Sequence, residues 1–419
     1  MGFIFNVFCL LFLLYITSRI IRFNKFSPIY IYIIFHVIVV LLSTGYFYFY
    51  KNKFSLYNLD YVSSEDFLNA IDYYILGINS FLIAVIVCYD LSSKPDKILL
   101  SNRISTKIKI NISINDKLKN ITIGYFFILV VFFLLVYGKS LFIREEYVSF
   151  EKFKGMIIII KLMSFLGCVL SALIYKENKM LSVLLFSILL TLYLGTGSRI
   201  CFIFLVIYIL VTYFLSKKFN ILRKIKLFII LFLSFLFLAY VMQLRSLEDH
   251  GVIPYITYFF MMGDEVLEAF MFNIYYILIY GVFVTIGTLK TATADWNIIL
   301  TNISPLPGFL TNWYELAPKR RINLYAPYST HGEVFKMGKW FSFIFFFWIG
   351  IMFSFFEKKT RRILTKGGYF KVFILIILLI LHIFYAYEYN MRSSVRYIYY
   401  AFVYLFTLDI FDKTFKYKI

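Results

Sequence analysis

Arg199 closes the stretch LGTGSRICF, set between two runs that are almost entirely apolar. A guanidinium beside hydrocarbon is costly unless it reaches an interface, a partner or water, which makes it a candidate functional residue. It is not alone. Arg245, Glu248, Asp249 and His250 follow the apolar run 227–243. The stretch KRRINLYAPYSTHGE adds Lys319, Arg320, Arg321, His331 and Glu333, and EYNMRSSVR adds Glu388, Arg392 and Arg396. Arginine keeps its charge and offers a planar, bidentate fork that suits phosphate. A carboxylate or imidazole nearby can accept the proton of an attacking hydroxyl. Together these residue types suit transfer of a group from a lipid-linked diphosphate, with arginines stabilising the leaving diphosphate as its charge develops. The candidate diphosphate ligands are Arg199, Arg245, Arg320, Arg321, Arg392 and Arg396, and the candidate bases are His331, Glu333 and Glu248. His331 is slightly favoured among the bases, since an imidazole is mostly neutral near neutral pH. The chain contains no DxD signature, so neither a metal nor a cofactor is expected.

The elements that must position these residues are membrane helices. Of 419 residues, 61% are hydrophobic and 22% aromatic, and the mean hydropathy is +0.80. An ordinary globular chain is about 45–50% apolar, and long uncharged apolar runs mark spans. The expected fold is an all-α polytopic membrane protein, a single integral membrane domain over 1–419. It has about eleven transmembrane helices, near 3–18, 28–50, 71–91, 120–141, 155–175, 180–197, 199–215, 227–243, 337–356, 372–388 and 395–411. More than half of the 43 Lys and Arg fall in the connections 19–25, 92–119, 176–179, 216–226, 357–371 and 412–419. The positive-inside rule assigns these connections to the cytoplasm, which puts the N-terminus outside and the C-terminus inside. The net charge of +20 has the same origin and does not signal nucleic acid.

Residues 264–289 are apolar enough to span, but a span there would turn the basic connection 357–371 outward. They read instead as a re-entrant or interface-lying helix within one long external loop near 244–336 that forms part of the site. The stretch NISPLPGFL, with Pro305, Pro307 and Gly308, breaks any helix after it. Cys9, Cys88, Cys168 and Cys201 lie in apolar runs without a CxxC pair, so no disulfide framework is expected. The N-terminal run reads as a retained first span, since it lacks a basic segment and a small-residue cleavage site.

From about residue 120 onward the layout resembles that of Wzy-type O-antigen polymerases, the oligosaccharide repeat-unit polymerases of the O-antigen polymerase and ligase superfamily. The similarity lies in the GTGSR hairpin entering a span, the late external loop with its SPLPGF turn, the entry THGEVFKMGKWFSFIFFFWIG, and the RSSVR turn before the last helix. The resemblance implies a multi-pass enzyme of the bacterial inner membrane that polymerises undecaprenyl-diphosphate-linked oligosaccharide repeat units on the outer face without metal. Implied partners are that lipid-linked oligosaccharide, the lipid bilayer and a chain-length-regulating membrane protein. Arg199 matches the arginine of the hairpin motif. Arg321, separated from Gly332 by ten residues, matches a loop arginine, and His331 and Glu333 match the loop base before a Gly-bearing span entry, here Gly338. The His331 to Gly338 spacing is shorter than in the related ligases, and one span fewer is counted. The alternatives are a ligase-like glycan transferase and a lipid-linked oligosaccharide flippase. A flippase would carry charges deep within several spans rather than on an external loop.

Overall fold

The computed structural model describes residues 2–24, 26–50, 62–102, 116–145, 154–198, 200–215, 247–261, 274–311, 313–322 and 326–416, with isolated residues at 54, 229–244 and 268–272. Among these residues the chain is helical and has no β-strand. It packs as two units, Met1–Thr106 with Tyr275–Ile419, and Lys107–Ile274. Among the described residues seven helices are long and apolar enough to cross a membrane: Phe3–Ile20, Pro28–Phe49, Ser64–Asp90, Lys119–Leu141, Gly155–Ile174, Lys339–Thr365 and Lys371–Glu388. The expected spans 180–197 and 199–215 form the shorter apolar helices Lys179–Gly195 and Ile200–Leu215. The last expected span lies within Met391–Lys416. Most of 227–243 lies outside the described residues.

In the first unit, α1 (Gly2–Ile20), α2 (Pro28–Phe49) and α3 (Ser64–Asp90) pack with three late helices. Ser27 and Ser63 cap α2 and α3 by accepting from Tyr30 N and Asp66 N, which satisfies backbone donors that each helix start leaves open. Glu65 and Asp66 in the first turn of α3 favour the positive end of its dipole. The core is aromatic: the Tyr32 and Phe81 rings stack 4.1 Å apart, and Phe353 meets Tyr32 edge-on at 5.2 Å. Gly350 lets the helix Lys339–Thr365 approach α3 closely, since a Cβ there would stand 2.6 Å from the Phe81 carbonyl oxygen.

Three of the basic connections meet at one end of this unit. The helix Lys339–Thr365 continues through residues expected to be loop and carries Glu357 and Arg361 fully buried, one turn apart. The expected connection 357–371 is thus corrected: only 366–368 make the turn, because an i, i+4 ion pair sustains the helix beyond the apolar run. Arg361 donates to Glu357 Oε1 at 2.6 Å and to the carbonyls of Arg22, Leu99, Leu100 and Asn102. Ser27 Oγ donates to Glu357 Oε2 at 2.6 Å. Lys359 pairs with Asp409, and Arg362 with Asp96. Segments 19–27, 94–102, 357–365 and the last helix therefore share one end.

At the opposite end, Asp72 receives Asn6 and Lys339, and Asp66 pairs with Lys290. The segment Tyr275–Thr291, a π-turn followed by a helix, has both of its ends here. Tyr275 packs on Tyr46 in the last turn of α2, while Lys290 meets the first turn of α3. The remaining part of the expected 264–289 helix lies largely outside the described residues.

The second unit contains Asp116–Tyr137, Lys154–Ile174, Lys179–Gly195, Ile200–Leu215 and Val252–Met261. Ser182 Oγ donates to the Ser171 carbonyl, and Phe186 stacks on Tyr208 at 4.0 Å. Such small-residue and hydroxyl contacts are the usual glue between helices in lipid.

Candidate functional site

The short helix Thr330–Lys336 organises the polar residues of the first unit. Ser329 starts it by accepting from Gly332 N at 2.9 Å, and its hydroxyl also meets Thr285 Oγ1 at 2.9 Å. Residues 331 and 333 point to different sides, as two positions apart on a helix must. On one side Glu333 is fully buried. Its Oε1 accepts from Arg320 Nη2 at 2.7 Å, Arg320 Nε at 3.2 Å and Asn302 Nδ2 at 3.3 Å, while Oε2 accepts from Met391 N at 2.9 Å. The side chains of Arg320 and Glu333 are 6% and 0% exposed. Glu333 thus neutralises a buried guanidinium and caps the first backbone N–H of the helix Met391–Lys416. The Arg320 guanidinium also lies over the Tyr328 ring at 5.0 Å.

Arg392, one residue further on, donates to the carbonyls of Thr301 and Leu306 at 2.5 Å each and lies over the Trp313 ring. Tyr399 adds a bond to the Ile303 carbonyl. Thr330 N and Oγ1 both donate to the Tyr389 carbonyl, and Thr330 Oγ1 meets Ser394 Oγ. The turn SPLPGF, the segment THGE and the turn RSSVR, far apart in the chain, therefore meet at one place.

On the other side of the short helix, His331 is buried among rings. Its Nδ1 lies 2.8 Å from the Ala386 carbonyl, and its Nε2 lies 3.2 Å from Nε2 of His36. Tyr74 and Phe346 stack beside it, at 5.0 and 5.4 Å. Burial, and secondarily the neighbouring His36, hold the His331 imidazole well below its ordinary range. Where the sequence suggested only part of a long external loop, Ser329 starts a short helix and His331 is buried in it.

The other sequence candidates stand apart. Arg321 is exposed, with its backbone bridged to Pro327, and Arg396 is half-buried. Glu248 is exposed and belongs to the second unit. Arg199 and Arg245 lie outside the described residues. The hairpin that leads to Arg199 is described up to Ser198. Gly195 lies so close to its neighbours that a Cβ would stand 2.8 Å from the Leu141 carbonyl oxygen, and Gly197 turns the chain with a φ of +65°. Arg144 Nη1 donates to the Gly195 carbonyl at 2.7 Å, and its backbone pairs with that of His250. Burial and the nearby Arg144 lower the His250 imidazole.

No family model matches the chain. No curated protein and no solved structure matches it either. Its chemistry therefore rests on the residues themselves. Arg320, Arg392 and Glu333 direct donors and acceptors at protein partners. His331 turns its remaining ring nitrogen toward His36, and the carboxylate of Glu248 is exposed to solvent. Sequence reasoning missed Asn302 and His36. Asn302 offered no signal, but His36 did: an ionisable residue inside the apolar run YIYIIFHVIVV is rare enough to be flagged.

Proposed function

We propose that the chain is a membrane glycan polymerase, joining undecaprenyl-diphosphate-linked oligosaccharide repeat units into a surface polysaccharide by metal-independent glycosyl transfer. One observation carries this reading. Three motifs that resemble those of repeat-unit polymerases converge around the Arg320–Glu333 pair and Arg392, in the unit whose other end gathers the basic connections. By the positive-inside rule the basic end is cytoplasmic, so the converged motifs face the exterior, where lipid-linked repeat units are joined. In this reading the protein lies in the bacterial inner membrane with about eleven spans. Tyr275–Thr291 lies along the outer interface, a placement supported by both of its ends meeting the same end of the unit.

The buried pair and Arg392 act here as the frame of the outer loop. Of the proposed diphosphate ligands, Arg199 and Arg245 belong to the second unit with the exposed carboxylate of Glu248, and the exposed Arg321 belongs to the first. The test uses the purified full chain in liposomes with undecaprenyl-diphosphate-linked repeat units. Polymer should form, and Arg199→Ala, Arg245→Ala and Arg321→Ala should each reduce it about ten- to a hundredfold, the loss of one charge-assisted contact to phosphate. Arg→Lys should restore only part, because lysine keeps the charge without the fork. Translocation of the lipid-linked oligosaccharide with no new glycosidic bond would replace this reading with a flippase.

Sidedness has its own measurement. Leu310→Cys should react with an impermeant thiol reagent in intact cells, and Ile98→Cys only after permeabilisation; both positions are exposed. The reverse pattern would remove the external site.

A further inference from the structure

His36 and His331 are joined in a way that two neutral imidazoles cannot satisfy. His36 Nδ1 lies 2.9 Å from the Tyr32 carbonyl oxygen, and His331 Nδ1 lies 2.8 Å from the Ala386 carbonyl oxygen. A carbonyl oxygen only accepts, so both Nδ1 atoms must carry hydrogen. A neutral imidazole has a single N–H, which leaves each Nε2 as a bare lone pair. Yet the two Nε2 atoms face each other at 3.2 Å. Moving the hydrogen of one ring to its Nε2 mends that contact and breaks another, because its Nδ1 lone pair then opposes a carbonyl oxygen. Every neutral arrangement thus leaves two acceptors in contact, in a site where both rings are only 2% exposed.

We propose that His36 and His331 form a proton-binding site, with one added proton held between their Nε2 atoms. The proton comes from the aqueous phase, and the product is an imidazole–imidazolium pair in which Nε2–H of one ring donates to Nε2 of the other. The separation already suits an N–H donor and its acceptor. The charge spreads over two rings, and aromatic faces line it. Tyr32 lies 4.1 Å from the His36 ring, and Tyr74 and Phe346 flank His331. Ring faces of this kind attract a cation, more so away from water.

The titratable groups near the pair are Tyr32 on α2, Tyr74 on α3 and His382 on the helix Tyr369–Glu388, with Tyr387 of that helix packed against Tyr74. The Tyr74 hydroxyl bonds Thr285, the Tyr387 hydroxyl donates to the Leu278 carbonyl, and His382 Nδ1 meets the Ser394 carbonyl. Glu333, on the other side of the short helix, belongs to Arg320. A zinc ion in place of the proton would need further ligands, and no group of three or more His, Cys, Asp or Glu side chains suited to a metal occurs among the described residues.

The experiment is nitrogen NMR of the full chain carrying isotope-labelled histidine, in lipid nanodiscs, titrated from about pH 8 down to about pH 4, because burial lowers the affinity of His331 for a proton. The chain has only four histidines, so each ring can be assigned. At the acid end two rings should each show a protonated Nδ1, and their Nε2 atoms should be coupled to each other with shifts between the neutral and imidazolium values. Loss of this signal on raising the pH should release one proton per two rings. In His36→Gln the coupled signal should vanish and His331 should become an ordinary neutral ring protonated on Nδ1. A pair that shows one Nδ1–H ring and one Nε2–H ring throughout the range would overturn the proposal, and so would one metal ion per chain whose removal by a chelator changes the signals. The wild-type titration decides the matter even if the variant does not fold.

Discussion

Glu333→Gln should lower stability by about 3–5 kcal/mol, the cost of breaking a buried ion pair by removing one partner. Glutamine keeps the shape and one acceptor oxygen, so the loss is not one of packing. The Arg320 guanidinium stays 6% exposed and charged, now without its counter-charge. The amide nitrogen that replaces a carboxylate oxygen also meets a donor, either Met391 N or the Arg320 and Asn302 nitrogens. The measurement is the thermal unfolding midpoint in detergent micelles, beside Arg320→Met and the double variant. The double variant should be more stable than Glu333→Gln alone, since it leaves no unpaired charge in the interior. If Glu333→Gln instead behaves as a surface substitution, within about 0.5 kcal/mol, the pair is solvated and does not hold the segment 302–333 to the last helix.

Arg361→Leu should be at least as damaging, at about 3–5 kcal/mol for the broken pair with Glu357. Both side chains are 0% exposed. A second loss adds to the first, because Arg361 also holds the carbonyls of Arg22, Leu99, Leu100 and Asn102, the ends of two separate helical segments. Each acceptor left dry adds a desolvation cost of about 1–3 kcal/mol unless water reaches it. Arg361→Lys should recover little, because a point charge with three donors cannot reach acceptors spread around the edges of the guanidinium plane. The amount of folded chain extracted from membranes and its unfolding midpoint are the readouts. Adding Glu357→Gln to Arg361→Leu should restore part of the loss. Wild-type yield and midpoint in Arg361→Leu would show that the basic end holds together without it.

How far the fold and the site can be read from the sequence varies with the kind of interaction. Apolar runs such as 28–50 and 155–175 report helices directly, because hydrocarbon demands that every backbone polar group be satisfied within the segment. The gathering of basic segments at one end is also legible, through the charge asymmetry of the connections. Glu357 and Arg361 are visible at helical spacing, yet counting charges in loops treats them as solvated and hides their mutual pairing. Arg320 and Arg392 show a different limit. A sequence lists guanidinium groups but not what they face, and here they face Glu333 and the carbonyls of Thr301 and Leu306. His331 is legible as a special residue and illegible as a buried one, since its surroundings become apolar only when Tyr74 and Phe346 arrive from other helices.

The bond from Arg361 to the Arg22 carbonyl joins positions 339 residues apart. A ribosome adds about 5–20 residues each second, so the first helices wait roughly 20–70 s in the membrane for the residue that ties them down. Until then the carbonyls of Arg22, Leu99 and Asn102 lack that donor, whereas the Leu100 carbonyl already accepts from Arg22 N. The N-terminal helices thus begin joined to one another, through contacts such as Asn6 with Asp72, before Arg361 ties their basic end together. Chains interrupted before residue 361 should remain in that state, distinguishable from finished ones by an unlocked basic end.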